Sequence, residues 1–577
     1  QPYAEINASY GSFNAHKETV KFGTGLLKDH WAFDARLSNI GTDGYIDRAS
    51  VDLYSFYAQG GYFADNTSVK FITFGGKEKT YHAWNYATKE EMKKYGRRFN
   101  SCGMYTDDDG HIRFYKDQTD NYLQMNYQLL LNHTFSAAWN LNAALHYTKG
   151  DGYYQEYKED RSLKEYRLHP FMYDGKEVEK SDLIRQKKMD NHFGGGVFSV
   201  NYRNEKLDAS LGGALNYYDG WHFGRVIWVK NYIGELLPDH EYYRNKAKKT
   251  DGNLYLKANY NLVAGLNAYA DLQYRYINYK IHGDNDKYDY NTDGLQKLAV
   301  NDHFNFFNPK AGLNWDIDSN NRVYASFSVA QKEPTRNNYT DGNADEYPKA
   351  EKLYDYELGY TYRNTWLSAG VNFYYMDYKD QLVLTGELNE IGEAMARNVP
   401  DSYRTGVELM LGVKPCRWFQ WDINGTLSKN RVKNFTEKLY EDEWKNPIEV
   451  EHGNTPIAFS PDFILNNRFS FSHKGFEAAL QSQYVSKQYM SNAKQAEQTL
   501  DAYFVSNLNL AYTFQLRHVK SVTVGFTIYN LFNEKYENNG YAGSGYTLKD
   551  GKPERYNYAG YAAQAGTNVM GNISIRF

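Results

Sequence analysis

The chain has 577 residues, including 56 Tyr and 2 Cys, and a formal net charge of −4 at pH 7. That balance offers no basic excess for a phosphate backbone, which excludes nucleic acid as a partner, and two Cys exclude a disulfide scaffold. Mean hydropathy is −0.76, yet 17% aromatic residues exclude a disordered chain.

A low mean is compatible with a transmembrane β-barrel, in which only alternate strand residues meet lipid. No apolar run approaches the ~18–20 residues of a membrane helix. The chain opens on Gln1-Pro2-Tyr3, without a basic start or an apolar leader core, and so reads as a mature form or a fragment. Length alone suggests about four domains of ~150 residues. No composition shift divides the chain, however, and residues 1–577 read as one domain.

The dominant period is two. In 266–276, Leu266, Ala268, Ala270, Leu272, Tyr274 and Tyr276 oppose Asn267, Asp271, Gln273 and Arg275. In 322–329, Val323, Ala325, Phe327 and Val329 oppose Tyr324, Ser326 and Ser328. Leu367, Ala369, Val371, Phe373 and Tyr375 share a face in 366–376, as do Tyr403, Thr405, Val407, Leu409, Leu411 and Val413 in 403–413. These segments of about 10–15 residues are twice the usual soluble strand and suit a tilted strand crossing a ~25 Å apolar band.

Tight turns are predicted near 28–30, 64–66, 136–138, 203–205, 261–265, 317–320, 363–365, 414–417, 473–475 and 515–521. Loops are predicted near 14–17, 40–50, 78–121, 148–192, 219–250, 283–302, 333–350, 383–398, 435–458, 489–500 and 531–565. Ten turns and eleven loops predict an all-β fold: a single 22-stranded antiparallel transmembrane barrel. Short turns and both termini lie on the periplasmic side and long loops outside. In 571–577, Ile573, Ile575 and Phe577 share a face, which predicts a last strand closing on the first.

No Gly-rich phosphate loop, nucleophile elbow or His-Glu-x-x-His is present, so no catalytic residue is nominated and the chain is not read as an enzyme. Cys102 and Cys416 fall at opposite ends of the barrel and are predicted to be free thiols. Cys102-Gly103-Met104 is either a soft metal site or an incidental buried loop. Asp289, Asn291 and Asp293 begin a calcium-loop pattern, but Val300 stands where a bidentate Glu belongs. They form either an incomplete calcium site or a solvated turn, and residues 105–110 are a weaker example of the same.

Trp84 and Tyr86 in one loop, Trp221, His222, Arg225 and Trp228 near another, and Arg336 with Tyr339 are the ligand-binding candidates. Aromatics with Arg form rigid patches that hold acidic ligands; interfacial belts or loop packing are the alternative. Asp271, Arg275, Asp355, Glu357, Arg404 and Glu408 are lumen candidates, with cross-strand pairing in the wall as the alternative.

Val522-Thr523-Val524-Gly525-Phe526-Thr527-Ile528-Tyr529-Asn530-Leu531-Phe532-Asn533, with Tyr536, is similar to the penultimate strand of the TonB-dependent outer-membrane transporters. Ala325-Ser326-Phe327 followed by Glu333-Pro334-Thr335 resembles that family's mid-barrel strand. Tyr356 to Tyr360, Arg404 to Glu408, and Gly44-Tyr45 with Asp47 match in family order. The loops resemble those of gut-type Bacteroidetes receptors.

The resemblance implies a multi-pass protein of a Gram-negative outer membrane that binds a bulky, scarce nutrient at its extracellular loops. A metal chelate (ferric siderophore, haem or cobalamin) is expected, because the chain lacks the enlarged barrel of glycan importers. Implied partners are outer-membrane lipid, a plug domain, the TonB complex acting through that plug, the small-molecule chelate and, in some systems, a surface lipoprotein. No cofactor is required, although some members order extracellular loops with calcium. The lumen candidates are expected to face the plug. The plug is absent from this chain, which is therefore expected to be the transport shell. A passive porin-like channel and a surface binding protein are the alternatives.

Overall fold

The computed structural model describes residues 1–233, 236, 240–290, 292–341, 347–389, 392–441 and 445–577. Its wall begins with β1 (Tyr3–Gly11), β2 (His16–Gly23), β3 (Trp31–Thr42), β4 (Val51–Phe63) and β5 (Thr67–Tyr81). It continues with β6 (Thr119–Thr134), β7 (Trp139–Ser162), β8 (Lys180–Arg203), β9 (Leu207–Val229), β10 (Glu241–Val263) and β11 (Leu266–Asp289). Then come β12 (Gly294–Asp316), β13 (Asn321–Lys332), β14 (Glu351–Arg363), β15 (Leu367–Leu388), β16 (Ala394–Cys416) and β17 (Phe419–Glu441). The last are β18 (Lys445–Pro456 and Phe463–His473), β19 (Phe476–Val485), β20 (Tyr503–Leu516), β21 (Val519–Tyr529) and β22 (Asn568–Arg576).

Each wall strand pairs antiparallel with its predecessor, and β22 returns to β1, placing Ile575 opposite Ile6 and Ile573 opposite Ala8. Hydrogen bonding divides the sheet into 23 strands. Two of these are the pieces of β18, which pair with the upper and lower halves of β17. The barrel is therefore closed with 22 strands, which leaves no unpaired edge.

The ten predicted turns all join wall strands. At the β18–β19 turn Lys474 (φ 46°) and Gly475 (φ 84°) are both left-handed, the backbone of a type I′ hairpin whose twist matches its strands.

The loops differ from expectation. Regions 148–192, 219–250 and 283–302 are mostly strand: β7 runs to Ser162, β9 to Val229 and β11 to Asp289, and β7 reaches 24 residues. A tilted strand needs only about 9–11 residues to cross a bilayer, so these hairpins project well beyond it. Above the apolar band the outward face turns polar while buried apolar residues such as Ile277, Tyr279 and Ile281 take the inward face, so the alternation changes sides as backbone pairing continues. Two short helices also escaped the sequence reading, α1 (Lys89–Tyr95) and α2 (Arg336–Thr340). Their signal was the capping box, Thr88 with Glu91 and Thr335 with Asn338.

The outward rows show where the band ends. On β10 the row reads Leu262, Tyr260, Leu256 and Leu254, all exposed, and then turns polar at Thr250, Lys248 and Lys246. On β11 it runs through Leu272, Tyr274 and Tyr276 before turning polar at Asn278, Lys280 and His282.

Buried apolar clusters lie at the extracellular end rather than in one central core. Leu163, Tyr166 and Phe171 from the β7–β8 connection pack on Leu183, Val226 and Tyr242. Tyr339 of α2 packs on Ala247, Tyr279 and Ile281. Met490, Leu500, Ala542 and Tyr561 join two further loops, with Met92 of α1 against them.

Candidate functional site

Register fixes which side chains look inward. Tyr122, Gly152, Met189, His222 and Asn245 are successive cross-strand neighbours on β6 to β10 and so share one face. Four of them, Tyr122, Gly152, Met189 and His222, line a cavity of about 850 Å³ at the barrel mouth. Tyr154, Arg185, Lys187 and Tyr243 line it one step higher, and Arg336 closes it from α2.

The charges around this cavity are mostly paired. Arg185 donates from Nε to Glu156 at 2.9 Å and from Nη1 to the Tyr166 hydroxyl at 3.2 Å. Lys158 reaches the same carboxylate at 3.1 Å. Lys187 pairs with Asp286. Arg161 donates to Glu165 at 2.9 Å, and Tyr290 donates to the other oxygen of that carboxylate. That bond, followed by burial, pushes the Tyr290 phenol up to about 12 and keeps it a donor.

Arg336 differs. Its Nη2 donates to Asn245 Oδ1 at 2.7 Å, while Nη1 is buried without a hydrogen-bond partner among the described residues. Its approach is set by Glu333, at the start of the same segment, which accepts from Lys249 of β10 and, at 3.1 Å, from Arg275 Nη1 of β11. Burial acts to raise the Glu333 carboxyl, but the Lys249 bond and the two positive charges outweigh it and hold it below the usual range. Strands β10 and β11 are not neighbours of β13, so these contacts form only on the concave side of the wall.

The 82–118 loop reaches over the mouth. Trp84 stacks on His82 with ring centroids 3.8 Å apart and meets the edge of Tyr154 at 6.0 Å. It also lies against Gly392, on the β15–β16 connection across the barrel, where a Cβ would collide with the indole. Burial beside Trp84 depresses His82 to about 4. Tyr86 stacks on Tyr541 at 6.3 Å, and Ala87 accepts from the Tyr561 amide at 2.8 Å. Tyr541 and Tyr561 belong to the hairpin Glu537–Lys549/Lys552–Ala563. Arg555 of that hairpin forks onto Glu437 of β17 at 2.6 and 3.0 Å.

The structure thus brings His222 and Arg336 together at the cavity, with Trp84 joined to it through Tyr154. Trp221 and Arg225 alternate with His222 and face outward, away from the cavity. Trp228 lies beyond a bulge that flips the alternation, and it meets Tyr157 at 6.0 Å on the outer side. Tyr339 is locked by its bond to Asp302 at 2.7 Å. Arg161, Arg185, Lys187, Tyr154 and Tyr243 were missed; their one signal was alternation, as in Tyr154-x-Glu156-x-Lys158, inside a region read as loop.

Of the lumen candidates, Arg275 is engaged by Asp251 and Glu333. Arg404 donates to Ser460 at 3.0 Å, holding the inward detour 457–462 that interrupts β18. Glu357 and Glu408 each accept from Asn372 at 3.2 Å. Asp271 Oδ1 and Asp355 Oδ1 are buried without partners among the described residues.

Asn291 lies outside the described residues. Asp293 accepts from Lys164 and from Tyr288, each at 2.6 Å, and Asp289 from Thr292 at 3.0 Å. Each of these two carboxylates thus accepts from a protein donor. Asp107, Asp109 and His111 do converge, but Asp107 is taken by Arg113 Nε at 2.8 Å and by backbone amides. Cys102 and Cys416 are both free thiols; burial pushes Cys102 up to about 11, leaving it unreactive.

Residues 61–531 match the family model described as TonB dependent receptor-like, beta-barrel. Over 225 residues the chain is 24% identical to the pesticin receptor of Yersinia enterocolitica, a match covering 38% of this chain and 30% of that relative. The chain thus spans about a third of the length of that curated relative. The ferric yersiniabactin uptake receptor of Yersinia pestis superposes with a TM-score of 0.70 at 14% identity, over 100% of this chain and 80% of that one. The siderophore receptor PiuA of Acinetobacter baumannii gives 0.71 at 11% identity, over 100% and 82%. At such identities these likenesses show the shared fold.

Proposed function

This chain belongs to the TonB-dependent receptor β-barrel family, and on that premise we propose that it is the transport shell of an importer for a bulky metal chelate, a ferric siderophore, haem or cobalamin. It resides in the outer membrane of a Gram-negative bacterium and is a receptor rather than an enzyme. The observation that carries the proposal is the cavity of about 850 Å³ under the loops, lined by Tyr122, Tyr154, Tyr243 and Arg336. Tyr122, Tyr154 and Tyr243 offer flat faces and phenol donors to a ligand of that size. Arg336 offers a guanidinium for a carboxylate or other anionic oxygen of the chelate.

In this reading energy arrives through a plug seated against the lumen wall and coupled to the TonB complex. The unpartnered acceptors of Asp271 and Asp355, and the Glu357–Asn372–Glu408 chain, support that seat. Growth of cells starved of iron, or of cobalamin, on single chelates, with the receptor as the sole importer, tests the proposal. One chelate should restore growth, and deleting TonB should abolish it. Equal growth without TonB would overturn energised import.

A further inference from the structure

Trp221, singled out in the sequence as a ligand contact, faces away from the cavity and belongs to a different surface. It sits opposite Lys246 on β10, and the side chains of Arg244 and Lys246 lie over its ring at 5.1 and 4.6 Å. This is the outer wall, just above the point where the outward rows of β10 and β11 stop being apolar.

Two rows of basic residues meet there. Lys248 stands directly opposite Lys280, and Lys246 opposite His282. Like charges directly opposite on one face repel, yet acids on these rows are few. Asp219 serves both Lys246, at 2.9 Å, and Lys248, at 3.9 Å. Glu241 is spent on Arg244. Asp284, next along β11, is taken by Arg167 and Lys297. Lys280 and His282 are exposed and have no ion-pair partner among the described residues.

Height is the second consideration. Lys280 is four residues beyond Tyr276 and Lys248 six beyond Leu254, the upper apolar positions of their rows. At ~3.3 Å per residue and a tilt near 45°, that places Lys280 roughly 9 Å and Lys248 roughly 14 Å above those side chains. A lipid whose tails lie along Leu254 and Tyr274 presents its headgroup there, with the Trp221 ring beside it.

We propose that the outer face of β10 and β11 is a docking site for a phosphorylated lipid of the outer leaflet, its phosphate clamped between Lys248 and Lys280, with Lys246 and His282 above. The site is separate from the cavity and does not rest on the nature of the imported chelate. The lipid headgroup supplies the negative charge that relieves the Lys248–Lys280 repulsion.

Native mass spectrometry of the purified chain in detergent, titrated with phosphatidic acid or with phosphatidylcholine, tests this. Phosphatidic acid should be retained selectively. The double variant K248Q/K280Q should weaken its association about thirtyfold, at roughly a factor of five per lysine, whereas K248R/K280R should retain it. Heat-modifiable migration in gels verifies that each variant is a folded barrel. Inorganic phosphate at millimolar concentration should not displace the lipid; displacement would mean a free-anion site and overturn the lipid assignment. Equal retention of phosphatidic acid by wild type and K248Q/K280Q would overturn the proposal outright.

Discussion

Arg336 is aimed by Asn245: the amide oxygen accepts from Nη2 at 2.7 Å, and the amide nitrogen is itself fixed on the Asp284 carbonyl at 2.8 Å. One edge of the guanidinium is thereby held, while Nη1 on the other is buried without a hydrogen-bond partner among the described residues.

If that edge binds ligand, Arg336→Ala should cost about 2 kcal/mol of affinity, roughly thirtyfold in Kd. Asn245→Ala should cost less, because the charge remains while its direction is lost. Isothermal titration with the chelate that supports growth measures both. Unchanged affinity in Arg336→Ala would remove Arg336 from the site.

The Glu156–Arg185 pair is buried, with both side chains at most 3% exposed. Removing one partner leaves an uncompensated buried charge, so Glu156→Ala should destabilise the packing of residues 163–171 by about 3–5 kcal/mol. The barrel should survive, since backbone pairing of β7 with β8 does not depend on the carboxylate. Hydrogen exchange should rise in 163–179 and stay unchanged in β1 to β5.

His82 gives the mouth a pH dependence. Its ordinary value is 6.5, and burial, against the opposing pull of the Glu156 carboxylate, brings it to about 4 when the loop is packed. The packed state thus binds fewer protons than the open one, and packing stability rises with pH across this window. It is fully present above about 6.5, falls as pH drops from there toward 4, and levels off below. Exchange of residues 82–118, corrected for intrinsic rate, should increase between pH 7 and 4.5 in wild type. It should change little in His82→Phe.

The 537–563 hairpin is latched by the Arg555–Glu437 fork, and His452 also reaches Glu437, at 2.7 Å. Arg555→Ala should loosen this hairpin by about 1.5–3 kcal/mol. Limited proteolysis should then cut within 537–563 faster than in wild type while the 22-stranded wall resists.

Much of the wall was legible because a lipid-facing strand must alternate. Leu272, Tyr274 and Tyr276 face outward and Asp271, Gln273 and Arg275 inward, as their spacing requires. Turn positions were legible because residues such as Lys474-Gly475 stand between two alternating runs. The extensions of β7 to β12 were not, because the apolar face there passes from lipid to the interior, as Ile277, Tyr279 and Ile281 do against the outward Asn278, Lys280 and His282, and the lipid-facing row that marks a wall strand ends.

The sequence by itself determined the class of fold, the number of wall strands, the sidedness of turns and loops, and the closure of β22 on β1. Period two and connection length are local quantities, readable along the chain. The tertiary structure decided that His222 looks into the cavity while Trp221 looks out, that Arg275 meets Glu333 and that Trp84 meets Gly392. Those facts depend on the register between strands, on single bulges and on which loops cross the mouth. They are set by pairings between residues distant in sequence, for which no local pattern exists.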